Sequence, residues 1–460
     1  MSGPRIVIVG GGSYQWVPKL LCDLVATPVL ADAHIVLEDI DPAPLPRLAA
    51  FAEAHAAARG VGVTVSVTTD QRAALDGADY VVVCISTGAL ESMAVDLDVP
   101  ARFGIRQSVG DTVGPGGITR ALRNIPVMVS IARDMEAVCP DAWLLNLTNP
   151  MTTLCRAVTR TTGIETVGLC HEVTMVRLTL SMLFDCDFRA VDLTVTGVNH
   201  LPIITAIDLD GRDGIVALRD LLDRVDEVRD EPLAANLLER LGHEAASFGG
   251  EGWTKGGIIA ANRVKLELFE RFGALPGAGD RHLVEFFPGF LTEESGWGER
   301  WGVSLTSIDD RRTWLQWYMS EFERLAARPE GPHAPSGELV AAVIDAHLRD
   351  RSRDFPLNLP NAGQCPDLPD DVVVESIATV DGRGVRGRDA AQAPALLAEY
   401  LRRVSASQEL TVDAALRGDR ATVLEAMLAD PLAGRLDFDR LVAMTDELLA
   451  ATARWLPQFA

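Results

Sequence analysis

The sequence predicts an α/β fold built on a doubly wound parallel sheet. Two observations lead to this fold class. Short, continuously apolar runs alternate with helical patterns through the first half of the chain, and three glycines lie between the first apolar run and the first helix. Strands that alternate with helices are typical of parallel sheets, because a parallel pair needs a long crossover, which is usually a helix.

The elements follow from this pattern in chain order. Apolar runs predict strands at 5–9, 34–38, 63–67, 80–85, 142–146 and 166–170, and helical spacing predicts helices at 17–25, 45–59 and 118–138. After about residue 190 the pattern changes, with strands expected at 191–198 and 203–209 (paired antiparallel), helices at 257–272 and 311–327, a loop at 328–337, a strand at 372–380 and helices from 395 onward. We therefore expect a first domain of residues 1–195 and a second α/β domain of residues 196–460, which would carry oligomer contacts.

Composition limits the partners that the protein can have. The chain has 460 residues, with 42 Lys and Arg against 65 Asp and Glu, so the net charge is −23. This charge argues against nucleic acid and against an anionic membrane surface, since both bind through Lys and Arg. No segment approaches the roughly 18 apolar residues that span a bilayer. The N-terminus shows no signal-peptide pattern, and the seven cysteines form no CxxC pair. We therefore expect a reduced, cytoplasmic protein.

The glycine run is the first candidate binding motif. Gly10, Gly11 and Gly12 follow the first predicted strand and precede the first helix, where backbone N–H groups can bind a pyrophosphate. Gln15 stands where a third glycine is usual, so the fingerprint is incomplete, and glycines also form plain strand–helix turns. Asp39 ends the second strand, where an acid binds a ribose and repels a 2′-phosphate. The motif therefore predicts NAD rather than NADP.

Polar residues also follow the later strands. Asn146 and Asn149 could bind a cofactor ribose or sugar hydroxyls, although Asn149-Pro150 is also a common turn signal. Cys170, with His171 beside it, and His200 follow two further apolar runs and could hold a divalent metal. A free cysteine is more often a small buried apolar residue, so these residues alone leave metal binding open.

Two further segments combine glycine with charge. The glycine-rich segment 108–117 contains Asp111 and lacks the ending of a Walker loop, so it is either a cover over a ligand or a flexible connection. Asp280, Arg281 and His282 bring an acid, a cation and an imidazole together after Gly279, although a charged loop tip would look the same.

These motifs occur in one order, and together they closely resemble the family 4 glycoside hydrolases, the NAD- and metal-dependent glycosidases. The motifs that carry the resemblance are Gly10–Ser13, Asp39-Ile40-Asp41, Asp111–Gly117, Asn146 with Asn149-Pro150, Cys170–Val173, Gly197–His200, Asn358–Gly363, Leu368-Pro369 with Val374-Glu375, and Trp455-Leu456-Pro457. The resemblance covers essentially the whole chain, and the Cys-His-Glu-Val and Gly-Val-Asn-His elements are its most specific parts.

The resemblance implies a Rossmann-type domain like that of lactate and malate dehydrogenases, followed by an α/β substrate domain. It also implies a route that differs from the usual two-carboxylate chemistry of glycosidases. In this route the sugar is oxidised at C3 with NAD and loses its C2 proton to a base. Its C1–O bond then breaks with help from an acid, water adds, and C3 is reduced again.

The resemblance also implies residue roles. Cys170 and His200 would bind the metal, usually Mn²⁺, and His171 would be the acid for the leaving group. Asp111, Asn149 and Asn199 would lie at the sugar, and the cofactor would contact Gly10, Gly11, Gly12, Ser13, Asp39 and Asn146. Many relatives use a tyrosine as the C2 base, but Tyr14, Tyr80, Tyr318 and Tyr400 all fall outside that segment. We expect Asp280 as the base, with His282 as the alternative.

The element Cys170–Val173 resembles the α-glucosidase branch, whereas relatives acting on 6-phospho-sugars carry Cys-Asn-x-Pro or a similar element. We therefore expect unphosphorylated α-glucosides as substrates, with α-galactosides and α-glucuronides or α-galacturonides as alternatives. Two other classes of protein remain open, an NAD-dependent sugar dehydrogenase and an inactive NAD-sensing binding protein. We expect a homodimer or homotetramer.

Overall fold

The computed structural model describes residues 3–233, 254–331 and 336–459. Its strands, numbered in chain order, are β1 Arg5–Val9, β2 His34–Glu38, β3 Thr64–Thr68, β4 Tyr80–Val83, β5 Trp143–Asn146, β6 Thr166–Leu169, β7 Val191–Val198, β8 Leu201–Leu209, β9 Arg212–Asp213, β10 Leu275–Pro276, β11 Arg353–Pro360, β12 Val373–Asp381 and β13 Gly384–Gly387.

The helices are α1 Val17–Ala26, α2 Leu45–Arg59, α3 Gln71–Leu75, α4 Ala89–Arg102, α5 Gly114–Val138, α6 Met151–Thr161, α7 Glu172–Phe184, α8 Gly214–Asp223, α9 Val225–Val228, α10 Lys255–Ala260, α11 Arg263–Phe272, α12 Asp280–Phe286, α13 Ile308–Ala326, α14 Val340–Leu348, α15 Ala395–Arg417, α16 Arg420–Ala429 and α17 Phe438–Thr452. Among these described helices, none combines the length and apolar character that crossing a bilayer requires.

The main sheet has the order β13-β12-β11-β6-β5-β4-β1-β2-β3. Strands β1 to β6 are parallel in the order 3-2-1-4-5-6, which is the doubly wound dinucleotide-binding arrangement. The strands of the second half, β11 to β13, extend the same sheet with antiparallel pairing. The predicted α/β class with a doubly wound parallel sheet is therefore confirmed.

The central strands are apolar throughout because both faces of the sheet are covered. Val7, Val9 and Val83 belong to one buried apolar cluster, while Ile8 and Val82 belong to another. Successive side chains of a strand point to opposite faces, so each strand contributes to two cores.

A smaller antiparallel sheet lies beside the main one. Strands β7 and β8 form a tight hairpin through Asn199 and His200, and β10 pairs with β8. The expected antiparallel pairing of these strands is confirmed, and it places the Asn199-His200 turn at the end of the hairpin.

Three expectations need comment. The single helix expected at 257–272 is divided into α10 and α11, which are separated by Ala261 and Asn262. Residues 332–335 of the expected loop lie outside the described residues. The division of the chain near residue 195 stays a prediction, because β11 to β13 come from the second half and complete the sheet of the first.

Candidate active site

The glycine run forms a turn directly after β1. This turn lies close to Cys84, which follows β4, and to Asp39, which follows β2. Gly10 has φ +87°, and a Cβ there would lie 2.5 Å from the carbonyl oxygen of Cys84. The backbone N–H of Gly12 donates to the Asp39 carboxylate at 2.9 Å. This turn follows β1 next to β4, where the strand order reverses and such sheets bind their ligands. The glycines and Asp39 therefore fit a dinucleotide, with Ser13 on the same turn.

The segment after β5 uses its two asparagines differently. The Asn146 side chain is buried, and it accepts from Thr148 N–H at 2.9 Å and donates to the Thr148 carbonyl at 3.0 Å. A contact of Asn146 with a cofactor stays a prediction, because these groups already serve the turn. Asn149 donates to Asp111 at 3.4 Å, and its buried Oδ1 has no described partner. The Oδ1 atom of Asn149 is therefore available to accept a hydrogen bond from a ligand.

Asp111, His200 and His282 come together at one point. One ligand atom from each residue lies within 4.8 Å of the others, which makes this a group that could hold a metal ion. His200 occupies the β7–β8 turn with φ +64°. This backbone region is unfavourable for a residue with a Cβ and is found most often at functional sites.

Thr112 fixes the protonation of His200. Its hydroxyl lies 2.7 Å from Asp111 Oδ1 and 2.8 Å from His200 Nδ1. Burial acts to raise the pKa of Asp111, but His282, His200 and Arg120 together hold it well below its usual range, so Asp111 is ionised. A carboxylate only accepts, so the Thr112 hydroxyl donates to Asp111 and accepts from Nδ1–H of His200.

The second nitrogen of His200 is consequently free of a proton. Burial, and then the neighbouring His282, lower the pKa of His200 to about 3, so the ring is neutral at pH 7. A neutral imidazole whose Nδ1–H is held by a hydroxyl presents the lone pair of Nε2 to a metal. The oxygen and nitrogen donors of this group fit a divalent ion such as Mn²⁺.

His282 stacks on His200, with ring centroids 3.7 Å apart. Its Nε2 lies 4.0 Å from Glu172 Oε1, and its buried Nδ1 has no described partner. Burial lowers the pKa of His282, although the nearby Glu172 and Asp111 oppose this effect. The residue therefore supplies a neutral imidazole at the three-residue group.

Asp280 points away from this group. Its Oδ2 accepts from Val264 N–H at 2.8 Å and its Oδ1 from Lys265 N–H at 3.0 Å, at the start of α11. Burial raises the pKa of Asp280. The carboxylate thus caps a neighbouring helix, and Asp280 itself begins α12, where a loop was expected.

Cys170 lies outside the three-residue group, at the end of β6. Burial raises the pKa of its thiol well above the usual range, and the charges of Glu375 and Glu172 raise it further. Asn199 is fully buried beside it and donates to Glu375 Oε2 at 3.2 Å. The thiol therefore needs a bound metal to ionise, and the roles of Cys170 as ligand and of Asn199 in substrate binding stay predictions.

His171 lies at the rim of the site. Its side chain is 43% exposed, and its Nδ1 lies 3.8 Å from Glu338 Oε1, which also pairs with Lys19 at 2.8 Å. The side chain is therefore accessible from solvent, and its role as the acid for the leaving group stays a prediction.

Sequence reasoning missed Glu285. Its Oε1 accepts from Val109 N–H at 2.7 Å and Gly110 N–H at 2.9 Å, and the side chain is fully buried. The signal was available, since Glu285 is the one charged residue within the apolar run 283–287. These hydrogen bonds hold the glycine-rich segment 108–117, which contains Asp111, in a fixed position, whereas the sequence allowed a flexible connection. We call this segment the glycine-rich wall.

Glu375→Gln should change how stability depends on pH. Burial raises the pKa of Glu375 to about 8. An acid whose pKa is raised on folding stabilises the fold at pH values below its unfolded pKa, and that stabilisation is lost as the pH rises through the folded pKa. Between pH 5 and 9, the thermal midpoint of the natural protein should fall more steeply than that of Glu375→Gln. Parallel curves in a thermal-shift series would contradict this assignment.

Comparisons with known proteins match most of the chain. The family model described as "Family 4 glycosyl hydrolase" matches residues 5–185, and that of the "Family 4 glycosyl hydrolase C-terminal domain" matches residues 195–433. The chain is 33% identical over 440 residues to an alpha-galacturonidase of Bacillus subtilis (strain 168), covering 93% of each protein. It is 28% identical over 468 residues to an alpha-glucosidase of Erwinia rhapontici, covering 98% of each.

The fold is also shared with solved structures. A 6-phospho-alpha-glucosidase from gut microorganisms, solved with NAD and Mn²⁺, superposes with a TM-score of 0.78 over all of both chains at 19% identity.

Proposed function

The chain belongs to family 4 of the glycosyl hydrolases, and from that premise we propose that it hydrolyses unphosphorylated α-glycosides with NAD and a divalent metal ion, such as Mn²⁺, as cofactors. The observation that carries the proposal is the group of Asp111, His200 and His282, which offers metal donors and a neutral base together. The glycine turn and Asp39 provide the dinucleotide site, and the solved relative with NAD and Mn²⁺ shares the fold.

NAD, when bound, would supply the exchange of hydride with C3 of the sugar. The chain's part is to hold it: Gly10, Gly11 and Gly12 let the backbone approach the pyrophosphate, and Ser13 follows on the same turn. The Asp39 carboxylate, which accepts a hydrogen bond from the Gly12 N–H in this structure, would instead accept hydrogen bonds from the ribose hydroxyls. A negative charge at this position disfavours a 2′-phosphate.

A divalent ion would supply a Lewis acid that polarises the sugar oxygens at C2 and C3. His200 presents Nε2 for it, because Thr112 holds the Nδ1–H. We propose Cys170 as the second ligand, as the resemblance implies, with Asp111 as an oxygen donor from the group that contains His200. Asn149 would orient the sugar through its free Oδ1.

For the C2 proton, we propose His282 rather than Asp280 as the base. Both oxygens of Asp280 already accept backbone N–H groups of α11, whereas Nδ1 of His282 has no described partner. Glu172 lies near enough to stabilise the imidazolium that forms. At the rim, His171 would donate the proton to the leaving group.

The element Cys170–Val173 favours glucose, while galactose, glucuronic acid and galacturonic acid are alternatives. We also propose a cytoplasmic homodimer or homotetramer, and sedimentation of the purified protein would measure its oligomeric state.

A panel of p-nitrophenyl α-glucoside, α-galactoside, α-glucuronide and α-galacturonide tests the function, with NAD, Mn²⁺ and a thiol reductant present. We expect release of p-nitrophenol from at least one of them without net NADH. One NADH for each turnover would indicate the sugar dehydrogenase instead. Cofactor binding without release from any glycoside would favour the NAD-sensing binding protein.

Cys170→Ser should remove activity that depends on Mn²⁺ while NAD affinity stays close to that of the natural protein. The thiolate would be lost from the metal site, and the glycine turn lies after a different strand. Cys139→Ser is a matched control, because Cys139 is also buried but follows the C-terminal end of α5. Full Mn²⁺-dependent activity in Cys170→Ser would exclude the thiol as a ligand.

A further inference from the structure

Two arginines at the edge of the active site lack a described acidic partner. Arg281 belongs to α12, next to His282, and Arg311 lies in the first turn of α13. The guanidinium carbons lie 5.7 Å and 5.0 Å from the centre of the same Trp314 ring, so both groups flank one indole. Among the ion pairs of the described residues, neither arginine takes part, although the chain carries a net charge of −23.

The acids nearest to Arg311 in sequence have hydrogen-bond or ion-pair partners elsewhere, although the charge of Asp310 also acts on Arg281. Asp309 pairs with Arg312 at 2.8 Å, and Asp310 accepts from the Ser307 N–H and hydroxyl at 2.9 and 2.7 Å. The Nε atoms of Arg281 and Arg311 are both buried without a described partner. Other N–H groups of Arg281 donate to the Ser108 carbonyl and the Thr306 hydroxyl, so what the two neighbouring arginines still offer to an anion is a buried Nε–H each.

This site adjoins the reacting group, because Arg281 directly precedes His282 on α12. Burial is the main cause that lowers the pKa of Arg281, and the charge of Arg311 lowers it further. The charge of Arg311 also lowers the pKa of the Asp111 carboxylate. Arg281 additionally donates to the Ser108 carbonyl at 2.8 Å, so it is fixed to the glycine-rich wall. A sugar placed at Asp111 and His282 would therefore have one of its substituents near the two guanidinium groups.

Resting on the function proposed above, we propose that the sugar carries a carboxylate at C6, as in an α-hexuronide, and that Arg281 and Arg311 bind this carboxylate. Planar guanidinium groups match the two oxygens of a carboxylate. A carboxylate offsets part of the positive charge of the two guanidinium groups, neither of which takes part in an ion pair among the described residues.

The test compares sugars that differ only at C6. We expect kcat/KM to be much larger for p-nitrophenyl α-galacturonide than for p-nitrophenyl α-galactoside, so that their ratio exceeds one by a wide margin. The α-glucuronide and the α-glucoside provide the same comparison for the other epimer. Arg311→Gln should lower the larger of these ratios by about 10- to 100-fold, the range for losing a hydrogen bond to a charged group. Arg312→Gln is the matched control, because Arg312 is adjacent, exposed and paired with Asp309.

Two outcomes would overturn the inference while leaving the proposed function intact: a natural protein that prefers the neutral sugars, or equal effects of Arg311→Gln and Arg312→Gln. A preference for a 6-phosphoglucoside would overturn both the inference and the unphosphorylated substrate class. Titration of free galacturonate and free galactose into protein with NAD and Mn²⁺ tests the arginines without turnover. Tighter binding of galacturonate that is lost in Arg311→Gln supports the inference, and equal binding of the two sugars contradicts it. Failure to cleave any glycoside would instead count against the proposed function.

Discussion

Replacing His282 with asparagine should lower kcat by about 10²- to 10⁴-fold, the usual cost of losing a general base. The imidazole is neutral because burial lowers its pKa, and its Nδ1 has no described partner. Burial acts to raise the pKa of Glu172, but the neighbouring histidines and Lys265 hold it at about 2, so Glu172 is ionised and can stabilise the protonated ring. Steady-state kinetics and exchange of the substrate C2 proton with solvent deuterium should both show the loss.

Asp280→Asn is the matched control, two residues away on the same helix. It should retain C2 exchange within a few-fold of the natural protein but lose about 1 kcal/mol of stability, since one acceptor at the start of α11 becomes a donor. If Asp280→Asn abolishes exchange while His282→Asn does not, the carboxylate is the base and our assignment is reversed.

Arg123→Met should lower the free energy of unfolding by about 3–5 kcal/mol, because it leaves the carboxylate of Asp96 buried without its partner. Both side chains are fully buried, and two hydrogen bonds of 2.8 and 2.7 Å join them between α4 and α5. These helices flank the glycine-rich wall, and the Asp96 carbonyl also accepts from Gln107 at 2.9 Å. The midpoint of urea unfolding should therefore fall sharply.

The double variant Arg123→Met/Asp96→Leu provides the comparison. Apolar residues in place of both partners remove the unpaired charge, so this variant should be more stable than either single variant. Equal destabilisation by the single and double changes would show that packing, rather than the ion pair, dominates at this position.

The strands at 5–9 and 34–38 were predicted to the residue because each is a continuous apolar run buried on both faces. Strand β11 was not predicted, since its sequence contains two prolines and two charged residues. Proline is usually confined to edge strands. Pro356 is tolerated here because only Leu357 and Asn358 of β11 pair with β6, so the proline has no partner residue in that strand.

The candidate site was predictable as a set of residues but not as an arrangement. His200 and His282 were both identified, yet their stacking depends on β8 and α12 meeting across about eighty residues of chain. The direction of Asp280 depends on where α11 begins, which periodicity locates only to within a few residues. Thr112 gave no signal, because hydroxyl residues are common in loops.

Hydrolysis in deuterium oxide tests the central claim most directly, with NAD, Mn²⁺ and the glycoside that the panel identifies. The released sugar is collected and its C2 position is examined by proton NMR. We predict that C2 carries deuterium in the product and that no NADH accumulates, because a base removes the C2 proton and solvent returns one. A product that keeps its original hydrogen at C2 would contradict the account, since direct displacement at C1 leaves that bond intact.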